Sequence, residues 1–380
     1  FYSDHGTGLP RHKRWLFDTG VRVPLIIYIP ETFKKLYPAK PGSEIDRLVS
    51  FIDLAPTVLK LADAKIPKTM QGNAFLGKEL IPEPEYVHVA RGRMDERYDM
   101  QRGLRTKKFK YLRYYEPNKP FIQFMNTPES GPLMTELRKA KKTGNLSTEA
   151  QQLVAPVKPK ESLFDLEKDP FEFNDLAKNP DYQSKLIELR EAHNQWMYNI
   201  LDVGLIPEAI IRDWEKSKNK PIYQILREDS SFYNDLMLTS SSNNEKFLQN
   251  CLKHPNEAIR YQAAIGLYNL KFKVSDKTIS LLQRTLREDQ VLNVSIAAGR
   301  ALLKFGIKTK NILKKIAEGL ADDNEWTRLQ SALVTDDFNY AIQNLESESK
   351  NLVKNDPNKY VVRVLNHALN DLNGTNNKVR

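Results

Sequence analysis

Three side chains near the start of the chain have types and a spacing that could support chemistry on an anion. Asp4 and His5 are adjacent, and Lys13 follows shortly after them. A carboxylate is a hard ligand for a divalent cation, an imidazole can bind a metal or donate a hydrogen bond, and a lysine supplies a positive charge. The set predicts part of a metal-assisted hydrolase site for an ester of a strong oxyacid. On spacing alone, a turn and a surface lysine remain the alternative.

An α/β domain is expected to position these residues. Residues 23–29 form an unbroken apolar run, VPLIIYI, which predicts a strand covered on both faces. Residues 43–62 are helix-rich in pattern, and Pro56 suits the first turn of a helix ending at Leu61. Residues 1–66 are therefore interpreted as the C-terminal part of an α/β domain.

The next segment, residues 67–201, has the pattern of an α+β subdomain. The predicted elements are strands at 86–90, 101–106, 109–115 and 162–166 and an amphipathic helix at 181–201. In the run FKYLRYY the aromatic residues alternate with Lys110 and Arg113, which predicts a strand with one solvated face. Lys107, Lys108 and Lys110 are all expected on that face. A polar excursion at 117–161 is expected to follow the surface.

The last third of the chain repeats itself. Residues 202–239 form a connection, residues 240–370 are predicted to be helical, and residues 371–380 are predicted to be a disordered tail. Pairs of small residues recur at a step of 34 residues, and this period predicts a solenoid of HEAT-type helix pairs. The pairs are Ala263-Ala264, Ala297-Ala298 and Ser331-Ala332.

Composition limits the classes of partner. The net charge is +10, which favours a polyanion such as a sulfated glycan, although a solvated lysine-rich surface explains it equally well. Signatures of common RNA-binding modules are absent from the sequence, so no nucleic acid is expected. The single cysteine, Cys251, is interpreted as a buried structural thiol. No transmembrane run is apparent in this chain.

Several motifs together resemble the sulfatase family of the alkaline-phosphatase-like superfamily. They are Ser3-Asp4-His5-Gly6, His12-Lys13 and Gly20-Val21-Arg22-Val23-Pro24, followed by SFIDLAPTVLKLA, MQGNAFLG, RGRMDERYDMQRGLRTKKFKYLRYYEP and LFDLEKDPFEFNDLAKNP. The resemblance covers about residues 1–200 in order. It implies a sulfuric ester hydrolase that releases sulfate from a sulfated carbohydrate.

The resemblance also implies roles for individual residues. Asp4 and His5 would be Ca²⁺ ligands, although an imidazole matches a hard cation poorly and His5 could hydrogen-bond the sulfate instead. Lys13 would contact the sulfate and act in catalysis, with His12 near the substrate. Arg22 and Asp18 would tie the loop to the scaffold.

A second charged cluster, at residues 93–97, has two interpretations. Arg93 or Glu96 would bind sugar hydroxyls or carboxylates if this subdomain closed over the pocket. A network of surface ion pairs is the alternative.

One departure from the family is central. Sulfatases use a formylglycine made in a C/S-x-P-x-R motif, and Cys251 is followed by Leu-Lys-His instead. The nucleophile is therefore expected in an N-terminal half that is not part of this sequence, and the isolated chain is expected to be inactive.

The alternatives are a phosphodiesterase or phosphonate hydrolase of the same superfamily, or a catalytically dead helical-repeat protein that binds a protein partner. The family implies a periplasmic or extracellular location.

Overall fold

The computed structural model describes residues 1–379, the side chain of Met94 excepted. The chain divides into two compact units. The first, called the sheet unit, comprises Phe1–Arg91, Gln101–Tyr114 and Pro159–His193. The second, called the helical unit, comprises Gly92–Met100, Tyr115–Lys158 and Asn194–Arg380.

Four strands form one sheet in the order β1-β2-β3-β4. They are β1 (Val87–Met94), β2 (Arg97–Arg105), β3 (Phe109–Tyr114) and β4 (Glu161–Asp165). β2 and β3 pair antiparallel with Leu104 opposite Tyr111, and β3 and β4 pair antiparallel with Tyr111 opposite Leu163. The predicted hairpin is confirmed, and its three opposed apolar residues form a core with Leu186 and Leu189 of the predicted long helix.

The first six helices accompany the sheet and the long segment after β3. They are α1 (Asp18–Val21), α2 (Leu54–Leu61), α3 (Asn126–Glu129), α4 (Pro132–Thr143), α5 (Thr148–Val154) and α6 (Gln183–Ile200), and short 3₁₀ turns occur at Glu31–Leu36, Phe51–Asp53, Pro180–Tyr182 and Val203–Leu205. Pro56 lies in the first turn of α2, as predicted, where its missing N–H costs no helical hydrogen bond. The polar excursion after β3 contains the short helices α3, α4 and α5.

The remaining helices build the helical unit. They are α7 (Glu208–Lys218), α8 (Ile222–Glu228), α9 (Tyr233–Ser241), α10 (Glu245–Cys251), α11 (Glu257–Asn269), α12 (Asp276–Glu288), α13 (Leu292–Lys304), α14 (Lys310–Leu320), α15 (Glu325–Asp337), α16 (Asn339–Asn344), α17 (Glu346–Asn355) and α18 (Lys359–Asn373). α11 packs on α13, and α13 packs on α15. The three small-residue pairs lie on these helices and are buried. Their small side chains allow the helices to approach closely. α18 extends into the segment predicted to be disordered, and the carbonyl of Asn377 accepts amide hydrogen bonds from Asn366 and Asn370.

Two expectations from the sequence are wrong. Residues 23–29 do not form a buried strand: Ile26 is 63% and Tyr28 is 85% exposed. Within residues 1–379 this run pairs only with the first two residues, through a bridge from Tyr2 to Leu25 and through Phe1 and Ile26. An apolar run becomes a central strand only when neighbouring strands and covering layers are supplied.

The second correction concerns Lys110, which was expected on a solvated face. Its side chain is 0% exposed because β3 is covered on both sides, and carboxylates meet the ammonium group inside the fold. Lys107 and Lys108, in the turn between β2 and β3, are partly exposed as expected, and they pair with Glu83 and Glu167.

Candidate functional site

Two glycines fold residues 4–24, called the N-terminal loop, back on itself. The Gly6 N–H donates to the Gly20 carbonyl over 3.0 Å. A Cβ at Gly6 would lie 2.0 Å from the Thr19 carbonyl oxygen, and a Cβ at Gly20 would lie 2.2 Å from that of His12. Only glycine allows these approaches, so the two glycine motifs of the sequence are one structural feature.

The Asp4 and His5 side chains form a pair at the outer end of this loop. His5 Nε2 lies 3.3 Å from Asp4 Oδ2, and the Asp4 side chain is 80% exposed. The other ring nitrogen, His5 Nδ1, lies 2.6 Å from the Gly6 carbonyl oxygen, which fixes the ring orientation. The Ser3 hydroxyl donates to the His5 carbonyl. The Asp4 carboxylate and the His5 imidazole ring are thereby held side by side.

His12 and Lys13 are held by the same loop. Thr7 Oγ1 and His12 Nδ1 lie 2.7 Å apart, and the Lys13 N–H donates to the Thr7 carbonyl over 2.9 Å. The Lys13 side chain is half-buried, and it forms no ion pair with any residue of the described range 1–379. Its charge is therefore not neutralised by a neighbouring carboxylate.

A buried charge network anchors the loop to the sheet. Lys110 Nζ lies 2.6 Å from Asp18 Oδ1 and 3.1 Å from Glu172 Oε1, and it donates to the Leu16 carbonyl. Arg105 donates to both carboxylate oxygens of Asp18. Glu172 Oε2 accepts from the Asp18 N–H over 2.6 Å. Asp18 thus anchors the loop, as the resemblance implied, but through partners that the sequence did not reveal.

Ionisation within this network follows from burial and charge. Burial alone would raise the pKa of Asp18, but Lys110 and Arg105 outweigh it and hold that pKa below its ordinary value. Burial raises the pKa of Glu172, with Lys110 opposing the rise and the Asp18 charge adding to it. Removing Lys110 would therefore leave two buried carboxylates with too little positive charge.

Arg11 adds a further link between the loop and residue 172. Its guanidinium donates to the Glu172 carbonyl and lies 4.0 Å from the Phe17 ring centre and 4.2 Å from that of Phe173. The signal for this link was present in the sequence motif LFDLEKDPFEF, which contains Glu172 and Phe173. Sequence reasoning used the motif for resemblance only and assigned neither residue a role.

The other two predicted site residues, Arg93 and Glu96, lie in the helical unit. Arg93 Nε donates to Glu208 over 2.7 Å, and its guanidinium lies over the rings of Trp326 and Tyr360. Glu96 is 1% exposed, accepts from the Asn126 N–H and lies 3.6 Å from Arg363. These contacts are those of a structural ion-pair network, and a substrate role for either residue stays a prediction.

A cavity of about 60 Å³ in the helical unit has Arg93 in its wall. Its other polar and aromatic lining residues are Tyr98, Glu116, Lys119, Glu208, Tyr261, Arg300, Trp326 and Gln330. Arg300 and Lys119 both lie near the Glu116 carboxylate, at 3.3 Å and 3.8 Å. Most charges of the cavity are therefore already neutralised by one another.

The described part of the chain has no group of three or more His, Cys, Asp or Glu residues placed to hold a metal ion. Ca²⁺ takes six to eight oxygen ligands, so Asp4 fits as a single ligand of a larger set, and His5 fits less well. Cys251 is a free thiol that is partly rather than fully buried, and burial raises its pKa. No helix among residues 1–379 is both long and apolar enough to cross a membrane.

Comparisons with known proteins find similarity between this chain and sulfatases. Residues 10–159 match the family model "N-sulphoglucosamine sulphohydrolase, C-terminal". An ulvan-active sulfatase of Formosa agariphila is 40% identical over 224 residues, which cover 58% of this chain and 37% of that protein. These matches support a sulfatase C-terminal portion.

Two further proteins show weaker similarity to this chain. Human N-sulphoglucosamine sulphohydrolase is 22% identical over 60% of this chain and 46% of its own length. The solved structure of a 2-O GAG sulfatase is 23% identical, with a TM-score of 0.37, over 53% of this chain and 36% of that one. The chain thus spans less than half the length of each of these relatives.

Proposed function

We propose that this chain is the C-terminal portion of a sulfuric ester hydrolase that releases sulfate from a sulfated carbohydrate. The observation that carries the proposal is the N-terminal loop, which holds Lys13 without a carboxylate partner on the same loop as the Asp4–His5 pair. A lysine in this state can stabilise the charge that develops on a sulfate ester as its bond breaks. The sulfatase similarity of the matched segment supports this reading.

In the proposed enzyme, Lys13 contacts the sulfate, with His12 beside the substrate. Asp4 supplies one oxygen ligand to Ca²⁺, and His5 either completes that ligand set or hydrogen-bonds the sulfate. The remaining ligands and the formylglycine nucleophile belong to the rest of the parent protein. The metal supplies charge neutralisation for the sulfate when bound.

The proposal extends to the setting of the enzyme. Its substrate lies outside the cytosol, in the periplasm or the extracellular medium. The helix pairs form a HEAT-type solenoid whose surface recruits a partner, either a protein or a long glycan.

The test uses the full-length parent protein that contains these residues. We expect Lys13→Ala to lower sulfate release from a sulfated oligosaccharide by about 100-fold or more, as removal of one charge-stabilising donor does in other enzymes. Lys68→Ala, which changes an exposed lysine of the same unit, is the matched control and should keep the wild-type rate. Equal loss in both variants, or no loss in either, would contradict the role of Lys13.

A second measurement distinguishes sulfate from phosphate chemistry. The wild-type parent is assayed for sulfate release and for cleavage of a phosphodiester and a phosphonate ester. Faster turnover of either phosphorus ester would replace the proposal by the phosphodiesterase or phosphonate hydrolase alternative. The isolated 380-residue chain should release no sulfate with or without Ca²⁺, and metal-dependent release by it would refute that expectation.

A further inference from the structure

Two successive turns of the helical unit carry an unusual density of lysine. The α11–α12 turn and the start of α12 contain Lys271, Lys273 and Lys277, and the corresponding α13–α14 turn contains Lys304, Lys308 and Lys310. Together these residues are called the lysine edge. All are exposed except Lys304, which is half-buried.

Side-chain contacts place both turns on one edge of the helix stack. Lys304 at the end of α13 donates to the Tyr268 and Leu270 carbonyls at the end of α11. Burial lowers the pKa of Lys304, and the charges of Arg300 and Lys271 lower it further, so Lys271 and Lys304 are close enough to repel each other. At the next turn, Lys308 Nζ lies 5.6 Å from the ring centre of Tyr340. The lysine edge therefore spans two successive turns and reaches Tyr340 at the start of α16.

The charges of this edge are not balanced by the protein. None of the six lysines forms an ion pair within the described residues, and Lys304 donates only to backbone carbonyls. Two acids stand nearby, Asp276 and Glu245, and Glu245 is occupied by hydrogen bonds from Ser275 and Thr278. Six lysines against two carboxylates leave an excess of positive charge.

The opposite edge of the same helices is built differently. There Asp289 pairs with Arg260 over 2.7 Å, and Asp356 pairs with Arg328 over 2.8 Å. Its charges thus serve to join neighbouring helix pairs. Apart from Lys304, which donates to carbonyls at the end of α11, the lysines of the lysine edge do not have this function, since they form no ion pair within the described residues.

Helix stability does not account for the lysine edge either. Lys277 and Lys310 lie in the first turns of α12 and α14, at the positive end of each helix dipole, where a cation is unfavourable. Phe272 is 51% exposed between Lys271 and Lys273 and adds an apolar ring to the charged surface. An arrangement that costs stability and gathers like charges is typical of a surface that binds a polyanion.

We propose that the lysine edge binds a sulfated polysaccharide chain and so holds a polymeric substrate on the enzyme. This inference rests on the proposed function for its choice of polyanion, because a sulfatase meets sulfated polymers. Ester sulfates spaced along a polymer would engage lysines of successive turns and release counterions, so that binding weakens steeply with salt.

The experiment measures binding of the 380-residue chain to dextran sulfate, with neutral dextran as the uncharged probe and a single-stranded DNA oligonucleotide as the competing polyanion. The test variant is Lys271→Gln/Lys273→Gln/Lys308→Gln/Lys310→Gln. The control variant is Lys139→Gln/Lys141→Gln/Lys142→Gln/Lys354→Gln, which removes the same charge from four exposed lysines elsewhere in the helical unit. Equal thermal unfolding midpoints of both variants and the wild type show that the fold is retained.

We expect the test variant to lose at least 10-fold in affinity for dextran sulfate, with a salt slope smaller by about 3 to 4, while the control variant stays within about 3-fold of wild type. Equal losses in both variants would show that net charge alone is responsible and would overturn the proposal. Tighter binding of the oligonucleotide than of dextran sulfate at equal charge would also overturn it, in favour of nucleic acid.

The same four substitutions in the full-length parent separate this proposal from the proposed function. Sulfate release from a small sulfated sugar should be unchanged, and release from a sulfated polymer should fall. If the wild-type parent released no sulfate from any substrate, the proposed function would fail, while the binding measured on the isolated chain would still decide the role of the lysine edge.

Discussion

The helical unit and the first 61 residues of the sheet unit differ in how far their apolar side chains are buried. In the helical unit, residues such as Leu302 and Ala298 are completely buried, because each helix is covered by the next. In the N-terminal segment, Ile26, Tyr28 and Val58 remain mostly exposed. A stack of helices covers its own core, whereas an apolar run such as residues 23–29 is covered only where neighbouring strands and layers are supplied.

The N-terminal segment exposes several large apolar side chains, among them Phe1, Ile26 and Tyr28, and clustered exposed apolar residues are typical of a surface that packs against another. Under the proposed function, the rest of the α/β domain of the parent protein covers it. The N-terminal loop nevertheless keeps its shape, because the Asp18–Lys110–Glu172 network and the two glycine contacts hold it from within the sheet unit. The shape of the N-terminal loop therefore does not depend on whether the apolar residues of the N-terminal segment are covered.

The largest expected effect comes from the buried network of the sheet unit. Lys110→Met should destabilise the fold by about 3–5 kcal/mol, because it leaves the carboxylates of Asp18 and Glu172 buried without their shared cation. Urea unfolding measures the change. Lys108→Met, in the adjacent turn and partly exposed, should change the free energy of unfolding by no more than about 0.5 kcal/mol. Similar values for the two lysines would show that the network does not anchor the loop.

Two substitutions to alanine, one in each region, test the difference in burial directly. Leu302→Ala should cost about 2–5 kcal/mol, since it opens a cavity in a closed core. Val58→Ala should cost at most about 0.5 kcal/mol in this chain, because its side chain is 64% exposed. In the full-length parent the cost of Val58→Ala should rise if a covering domain packs on α2. An unchanged small cost there would indicate that this face stays in solvent.

A pH dependence gives the smallest and most specific effect. Burial lowers the pKa of His88 to about 4, so the folded protein resists its protonation. Between the ordinary value of 6.5 and about 4 the unfolded chain binds more protons than the folded one, and stability falls as pH decreases. Urea unfolding at pH 7.5 and pH 5 should show a smaller loss for His88→Asn than for the wild type. An equal loss in both proteins would exclude His88 as the source.

Much of the architecture could be predicted from local pattern. Periodic sequence patterns predicted three features: the antiparallel hairpin at Leu104 and Tyr111, the long helix after β4 and the buried small-residue pairs. In each case the elements that pack against the feature belong to this chain. The prediction failed at Lys110 and at residues 23–29, for one reason. A local pattern, whether alternating or unbroken, shows how apolar residues are distributed along a segment but not which of its faces other segments cover.

In the candidate site, too, some features could be predicted from the sequence and others are seen only in the tertiary structure. The residue types of the site, Asp4, His5 and Lys13, and the motifs that contain Gly6 and Gly20 could be read from the sequence, but the contact between the two glycines is seen only in the structure. The buried partners of Asp18 come from β2, β3 and residue 172, far apart in the chain, and only the tertiary structure brought them together.

By itself, the sequence determined the repeat period, the hairpin and the identity of the loop residues, since each depends on neighbours within one or two elements. The tertiary structure alone decided which charges are buried and paired, as at Lys110, and which stay exposed and unpaired, as along the lysine edge. The physical reason is that the energy of a charge depends on the solvent and the counter-charges around it, and distant parts of the chain supply both.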